Sequence, residues 1–218
     1  MKRISIFLLL ALLISMFSCN KDEELPPKDD SGETPYQSKG YFPMKVGSYW
    51  IYKHYRVKPD GTDTALAAMD SVYISGTKII RGNTYYVFEQ STYNNMLSYR
   101  RDSLGYLVDS AGNVLVSESH FEDTLISRNS QLDSNTILYH TGLIMHNSDT
   151  NITVPAGSFA HCITAEVRIK IYYGNPEPPN PFSLYNYYAP NVGLLYWEYR
   201  YSSSSTIYRV KLLRYHIP

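Results

Sequence analysis

What the sequence has little of already narrows its fold and function. It contains two cysteines in 218 residues, Cys19 and Cys162, which are too few for a disulfide framework. Neither sign of charge is in excess, because 20 Lys and Arg balance 20 Asp and Glu. Without a basic excess, nucleic acid is not expected as a partner. The apolar run at residues 6–14 is too short to cross a bilayer, which takes about 20 residues.

Sequence motifs of catalysis are missing as well. We find no G-x-S-x-G, H-E-x-x-H, phosphate-binding loop or dinucleotide fingerprint. Histidines and carboxylates cluster at residues 120–123 and 140–149, but neither spacing matches a known metal site. We therefore predict no cofactor, no metal and no catalytic residues, and expect a non-enzymatic binding or envelope-structural module rather than an enzyme.

The N-terminus carries a processing signal. Lys2 and Arg3 precede the apolar run, and the small residue Ser18 stands directly before Cys19, an order typical of a cleaved signal peptide. It resembles the lipobox of bacterial lipoproteins, although Met16 and Phe17 depart from the usual residues. The resemblance implies that residues 1–18 are a signal peptide and that Cys19 becomes the lipid-bearing N-terminus, with acyl chains such as palmitate. Two or more chains give stable membrane attachment.

The residues after Cys19 predict a location and a tether. Lys21-Asp-Glu-Glu24 resembles the tag that sends Bacteroidetes lipoproteins to the outer face of the outer membrane. We therefore expect a lipid-anchored protein of the outer membrane, at the cell surface rather than the periplasmic face. Residues 19–40 are rich in Pro, Asp, Glu and Lys, a composition that predicts a flexible tether. Residues 41–218 suit a single domain.

Composition and residue pattern predict an almost all-β domain. Tyrosine is abundant, with 22 residues, and residues 160–173 alternate apolar and polar side chains with a period of two. That alternation puts His161 and Ile163 on the core face. Turn residues separate the predicted strands: Gly61 should supply a positive φ in one turn, and Arg81-Gly82-Asn83 predicts a hairpin. The predicted strands lie at 49–57, 71–80, 84–90, 96–101, 105–109, 114–117, 142–146, 160–173, 183–189, 194–201 and 206–217.

Helix signals are sparse. Residues 64–69 and 130–138 are the segments that could each form a short helix. We therefore predict an all-β fold with few short helices, built as an antiparallel curved sheet or an open barrel, with a β-sandwich as the alternative. Apolar residues change face around Leu212-Leu213, which predicts a bulge in the last strand.

Three segments carry a family resemblance. Tyr41-Phe-Pro-Met-Lys-Val-Gly-Ser-Tyr-Trp-Ile-Tyr52, Thr153-Val-Pro-Ala-Gly-Ser-Phe-Ala-His-Cys162 and Tyr187-Tyr-Ala-Pro-Asn-Val-Gly-Leu194 are similar to segments of uncharacterised secreted Bacteroidetes lipoproteins. The resemblance implies a curved antiparallel sheet and a lipoprotein, without implying a reaction. Asn191 replaces a glycine of that pattern, and asparagine also tolerates a left-handed turn.

Aromatic side chains are the best candidates for binding. Tyr187, Trp197, Tyr199 and Tyr201 form a row of rings, and such rows bind glycans or peptides because rings offer large contact areas at low entropy cost. The alternative is that the rings simply pack the sheet. A curved sheet could also hold a lipid or another apolar ligand on its concave side. A metal-dependent hydrolase, or a thiol hydrolase built on Cys162, is a further alternative. The neighbour of Cys162, His161, would however point to the opposite face of the strand.

Overall fold

A computed structural model of the chain describes residues 37–91, 96–133, 136–172, 181–201 and 204–218. The predicted signal peptide, Cys19 and most of the predicted tether lie outside the described residues. Within them are twelve strands: β1 Tyr49–Val57, β2 Asp63–Ile80, β3 Asn83–Gln90, β4 Met96–Ser103, β5 Tyr106–Asp109, β6 Val114–Ser117, β7 Thr124–Asp133, β8 Thr136–Val154, β9 Gly157–Ile171, β10 Phe182–Ala189, β11 Gly193–Tyr199 and β12 Tyr208–His216.

All twelve strands belong to one antiparallel sheet. Its order is β6-β5-β4-β3-β2-β1-β12-β11-β10-β9-β8-β7. Consecutive strands pair, with the exception of β6 and β7, and β1 also pairs with β12. The edge strands β6 and β7 approach each other without pairing. The sheet is therefore an open barrel with one seam, as predicted, and the alternative of a β-sandwich is wrong.

The side chains inside the barrel form two apolar clusters. One is centred on Trp50, Leu195 and Leu212, and the other on Met145 and Ile163. Met44, in the segment before β1, packs against both clusters. Burial of these side chains is the main source of stability in a domain whose described cysteine, Cys162, is a free thiol.

Several turns and the bulge confirm the sequence predictions. Gly61 has φ 81° in the turn between β1 and β2, and Arg81 and Gly82 have φ 50° and 78° between β2 and β3. Positive φ at both central residues of a two-residue hairpin gives a type I′ turn. Asn191 adopts φ 61°, and the β1–β12 ladder shifts register so that Leu213 is left unpaired.

The predicted short helices are wrong. The described residues contain no helix: residues 64–69 lie in β2, and the described part of 130–138 lies in β7 and β8. Alanine has a high helix propensity, but propensity is a weak determinant of structure, and the β1–β2 ladder outweighs it in residues 64–69. Among the described residues no helix is long and apolar enough to span a membrane.

The face assigned to His161 is also wrong. His161 has φ 55°, and the β8–β9 register shifts twice near it, so the local bulge turns its side chain outward. The side chain is 74% exposed, whereas Cys162 beside it is fully buried. Alternation resumes beyond the bulge, with Ile163 and Ala165 inside.

Candidate functional site: a cavity inside the barrel

A cavity of about 680 Å³ lies inside the barrel. Its walls come from both halves of the sheet and from the segment before β1. Most of the lining is aromatic or aliphatic, with a few polar groups. The lining residues are Tyr41, Phe42, Pro43, Met44, Trp50, Tyr52, His54, Asp70, Val72, Phe88, Gln90, Arg100, Leu107, Asn186, Tyr188, Gly193, Leu194, Trp197, Tyr199, Arg200 and Tyr201.

One end of the cavity is covered by the residues before β1, here called the capping segment (residues 40–48). Tyr41 and Phe42 are buried in it, and the Gly47 amide donates to the Ile74 carbonyl of β2. On the opposite wall, the Tyr41 hydroxyl donates to the His161 carbonyl of β9. The segment thus contacts both halves of the sheet, and we call this side of the cavity the closed end.

A buried carboxylate anchors the start of the capping segment. Glu118, in the connection between β6 and β7, is fully buried. It accepts hydrogen bonds from the Ser38 hydroxyl at 3.0 Å, the Lys39 amide at 2.7 Å and the Tyr41 amide at 2.9 Å. The last residues of the predicted tether are therefore bound to the barrel.

Two aromatic side chains fix the closed end to the turn between β10 and β11. Trp50 is 4% exposed, and its Nε1 donates to the Val192 carbonyl at 2.7 Å. The Tyr52 hydroxyl donates to the Leu194 carbonyl at 3.0 Å, and burial raises the pKa of that hydroxyl. Each polar tip is satisfied by backbone, so the rings present apolar faces to the cavity.

The three segments of the family resemblance meet here. The first contributes the capping segment and Trp50, the second Val154 and Cys162, and the third Val192. Gly193 has φ 90°, and a Cβ at this position would lie 3.3 Å from Pro43 Cδ. The three segments that carry the family resemblance therefore build the closed end of the barrel.

The opposite end, here called the mouth, is lined by His54, Asp70, Tyr199 and Tyr201. His54 Nε2 lies 2.8 Å from Asp70 Oδ2, and His54 Nδ1 lies 3.4 Å from the Tyr199 hydroxyl. Burial raises the pKa of Tyr199 to about 12, so the hydroxyl stays protonated. Tyr201 is 58% exposed, which places this end of the cavity at the solvent.

Two arginines also line the cavity. The Arg100 guanidinium lies 4.8 Å from the centre of the Phe88 ring, and that of Arg200 lies 3.6 Å from the centre of Phe182. Desolvation lowers the pKa of Arg100, although the nearby Tyr188, Tyr52 and Asp109 oppose the effect. In the described ranges, the arginine ion pairs belong to Arg168 and Arg209, so Arg100 and Arg200 are without one.

The structure divides the predicted aromatic row between the two faces of the sheet. Trp197, Tyr199 and Tyr201 line the cavity. Tyr187 lies on the outer face, where its ring stacks on Tyr196 with centroids 4.3 Å apart. The β10–β11 register shift between Tyr187 and Tyr188 separates the two sets. A binding role for any of the four residues remains a prediction.

Sequence reasoning missed most of the cavity. Trp50, Phe88 and Arg100 come from three strands that meet only in the folded sheet. Alternation on β1 could have shown that Trp50, Tyr52 and His54 share a face, but it could not show which aromatic rings face them. The Arg100-Arg101 pair on β4 indicates one inward and one outward arginine without saying which is which.

Of the other candidate residues, Glu122 and His146 lie 2.8 Å apart, whereas the rest do not meet in one site. The Cys162 thiol donates to the Phe159 carbonyl, and burial raises the pKa of this thiol, whereas His161 bonds Asp149 on the surface. His120 bonds Tyr106, and His140 bonds Asn129. The described part of the chain contains no group of three His, Cys, Asp or Glu side chains able to hold a metal ion.

Comparison with protein-family models and with curated proteins gave no match. Matching solved structures include a Bacteroides fragilis protein described as exported and as having a YmcC-like fold. It is 14% identical, with 81% of this chain and 99% of that chain covered and a TM-score of 0.49. Another, from Parabacteroides distasonis, is described as a lipoprotein; it is 13% identical, with 83% and 100% covered and a TM-score of 0.48. The three-segment resemblance remains a prediction beside these matches.

Proposed function

We propose that this protein is a lipid-anchored lipoprotein of the outer membrane, facing the cell surface, that binds a small apolar ligand inside its barrel without catalysing a reaction. The cavity is the observation that carries the proposal. Its volume of about 680 Å³ falls in the range of small-molecule sites, about 300–1,000 Å³. Its lining of rings with few polar groups is also typical of such sites.

The arrangement of the cavity supports binding of a whole molecule from outside. The closed end is held by hydrogen bonds that Trp50 and Tyr52 donate and that Glu118 accepts, whereas Tyr201 at the mouth is exposed. A ligand would therefore enter past Tyr199 and Tyr201 and lie against Trp197, Phe88 and Trp50. Rings held in place before binding reduce the entropy cost of holding it.

A titration with a neutral, fluorescent apolar probe such as N-phenyl-1-naphthylamine tests this function. We expect saturable binding by the wild-type protein and about tenfold weaker binding by Trp197→Ala, because a ring that faces the cavity is lost. Tyr187→Ala is the matched control and should bind as the wild type does, since Tyr187 lies on the outer face. Absence of saturable binding, or equal weakening by both variants, would contradict the proposal.

A sugar is the second candidate ligand. Asn186, Gln90 and the His54–Asp70 pair line the same cavity as Trp197, and sugars are bound by rings combined with polar groups. Titration with a panel of oligosaccharides, followed by calorimetry, distinguishes the two. Binding of an oligosaccharide that Trp197→Ala abolishes, together with no binding of the apolar probe, would favour the sugar.

The anchor is tested separately. Labelling cells with radioactive palmitate should mark the wild-type protein and leave Cys19→Ser unmarked, because the cysteine thiol is the predicted attachment point. Proteinase added to intact cells should digest a surface-exposed barrel. Protection of the barrel in intact cells, with digestion after lysis, would place it on the periplasmic face instead.

A further inference from the structure

We infer that the ligand of the cavity is an amphiphile with one acidic headgroup, and that Arg100 binds this headgroup. The inference rests on the proposed function and names the class of ligand. It follows from the charges inside the cavity, where an apolar ligand alone would require none.

The cavity lining carries more positive than negative charge. Its charged residues are Arg100, Arg200 and Asp70. Asp70 already accepts a hydrogen bond from His54 at 2.8 Å, so its charge is engaged within the wall. The two guanidinium groups have no ion pair among the described residues, and Arg200 Nε is buried without a hydrogen-bond partner there. An anion entering the cavity would supply the missing acceptors.

Arg100 is the better placed of the two. Its neighbours are Phe88, Tyr52 and Tyr188, all of which are buried, so the guanidinium lies beside the deep rings of the cavity. Arginine is always charged and presents a fork of donors that fits a carboxylate or phosphate. A charged group held among rings is costly unless an opposite charge or good hydrogen bonds accompany it.

Asp109, the acid whose charge acts on Arg100, forms no ion pair with it. Asp109 faces Arg100 across the β4–β5 ladder. Its two carboxylate oxygens accept hydrogen bonds from the Ala111 amide at 2.9 Å, the Asn113 amide at 2.8 Å and the Asn113 side chain at 2.9 Å. Asp109 therefore holds the β5–β6 turn, and no ion pair joins it to Arg100. The guanidinium is left for a ligand, whose apolar part would lie along Trp50 and Trp197.

The protein contains its own reporter for this test. Its two tryptophans, Trp50 and Trp197, both line the cavity, so all of the tryptophan emission comes from the proposed site. We would titrate the full-length protein with decanoate, decyl phosphate and neutral decanol, which share a ten-carbon chain, and follow tryptophan emission. The carboxylate and phosphate arms distinguish a fatty acid from a phospholipid-like headgroup.

We expect at least one of the two acids to bind about tenfold more tightly than decanol, as a charge-assisted hydrogen bond in a desolvated site implies. Arg100→Gln should remove that difference, so that the acids bind no more tightly than decanol. Arg101→Gln is the matched control: it is the next residue on β4, packs on Tyr85 and does not line the cavity. It should bind all three probes like the wild type.

The other outcomes contradict either the headgroup inference alone or the proposed function as well. If decanol binds as tightly as both acids, or if Arg100→Gln binds the acids normally, the headgroup inference is wrong while the cavity function stands. If no probe changes the tryptophan emission, the proposed function fails as well. If Arg100→Gln does not fold, the affinities of the wild type and of Arg100→Lys for the two acids and for decanol still test the headgroup inference.

Discussion

The two ends of the cavity are built in different ways. At the closed end, Trp50 and Tyr52 donate to backbone carbonyls, and Glu118 accepts from backbone amides. At the mouth, contacts run between side chains, as in the stacking of Tyr199 on Tyr208 with centroids 5.1 Å apart. Backbone positions are fixed by the sheet, whereas side chains can change rotamer. The closed end is therefore expected to carry stability, and the mouth to adapt to a ligand.

Among variants that test this difference between the two ends, Trp50→Ala is expected to lose the most stability. Removing a buried ring leaves a cavity and an unpaired Val192 carbonyl, and the free energy of unfolding should fall by about 3–5 kcal/mol. Tyr201→Ala at the mouth should change it by less than about 0.5 kcal/mol, because the side chain is largely exposed. Urea denaturation followed by circular dichroism measures both values. Equal losses from the two variants would contradict the contrast.

A smaller loss is expected at the anchor of the capping segment. Glu118→Ala leaves the amides of Lys39 and Tyr41 without their acceptor, at an expected cost of about 2 kcal/mol or more. Glu118→Gln keeps the side-chain size and one acceptor oxygen, so it should lose less. Hydrogen exchange of the Tyr41 amide provides a local readout. Unchanged protection of that amide in Glu118→Ala would show that the anchor is not needed.

The glycine at the closed end should have a more modest effect. Gly193→Ala forces a residue with a side chain to adopt φ 90°, with its Cβ 3.3 Å from Pro43 Cδ, and we expect a loss of about 1–3 kcal/mol. Gly76→Ala is the control, since a Cβ there meets no atom within 4 Å and the backbone is not left-handed. Thermal unfolding of both variants would show whether the close approach to Pro43 matters.

The smallest expected effect is the dependence of stability on pH. It involves Glu122, which lies in the same β6–β7 connection as Glu118. His146 lies between Glu122 and Glu166, with distances of 2.8 and 2.9 Å. Burial lowers the pKa of His146, but the hydrogen bonds to the two carboxylates outweigh burial and raise it. The bond from Arg168, followed by those from Ser183 and His146, lowers the pKa of Glu166 to about 2.

These two pKa shifts affect the free energy of unfolding in different pH ranges. A raised histidine pKa contributes stability below the unfolded value of about 6.5, and the contribution disappears as pH rises through the folded value. A lowered carboxylate pKa contributes stability above about 4.3, which is lost as pH falls toward about 2. The wild type should therefore lose stability from pH 6 to pH 9, and His146→Gln should lose less. Identical urea midpoints across that range for both proteins would rule out a role for His146.

The sequence predicts the fold better than it predicts the site, for a physical reason. Local residue preferences, which can be seen in the sequence, determine strand β1 and the turns at Gly61, Arg81-Gly82 and Asn191. Strand β7 was missed because its pattern is mostly polar, and a strand at the seam pairs on one side only. The cavity depends on which faces of distant strands meet, and neither alternation nor composition specifies that.

The ladder between β1 and β12 has a consequence for the order of folding. Every other strand pair joins neighbours in the chain, so β1–β6 and β7–β12 can each form from local hairpins. The pairing of Tyr49 with His216 instead closes almost the whole domain, and such distant contacts slow folding because they cost the most loop entropy. Since the cavity takes its walls from both halves, we expect it to form only when β1 and β12 pair. A ligand present during folding would therefore stabilise the closed barrel rather than either half.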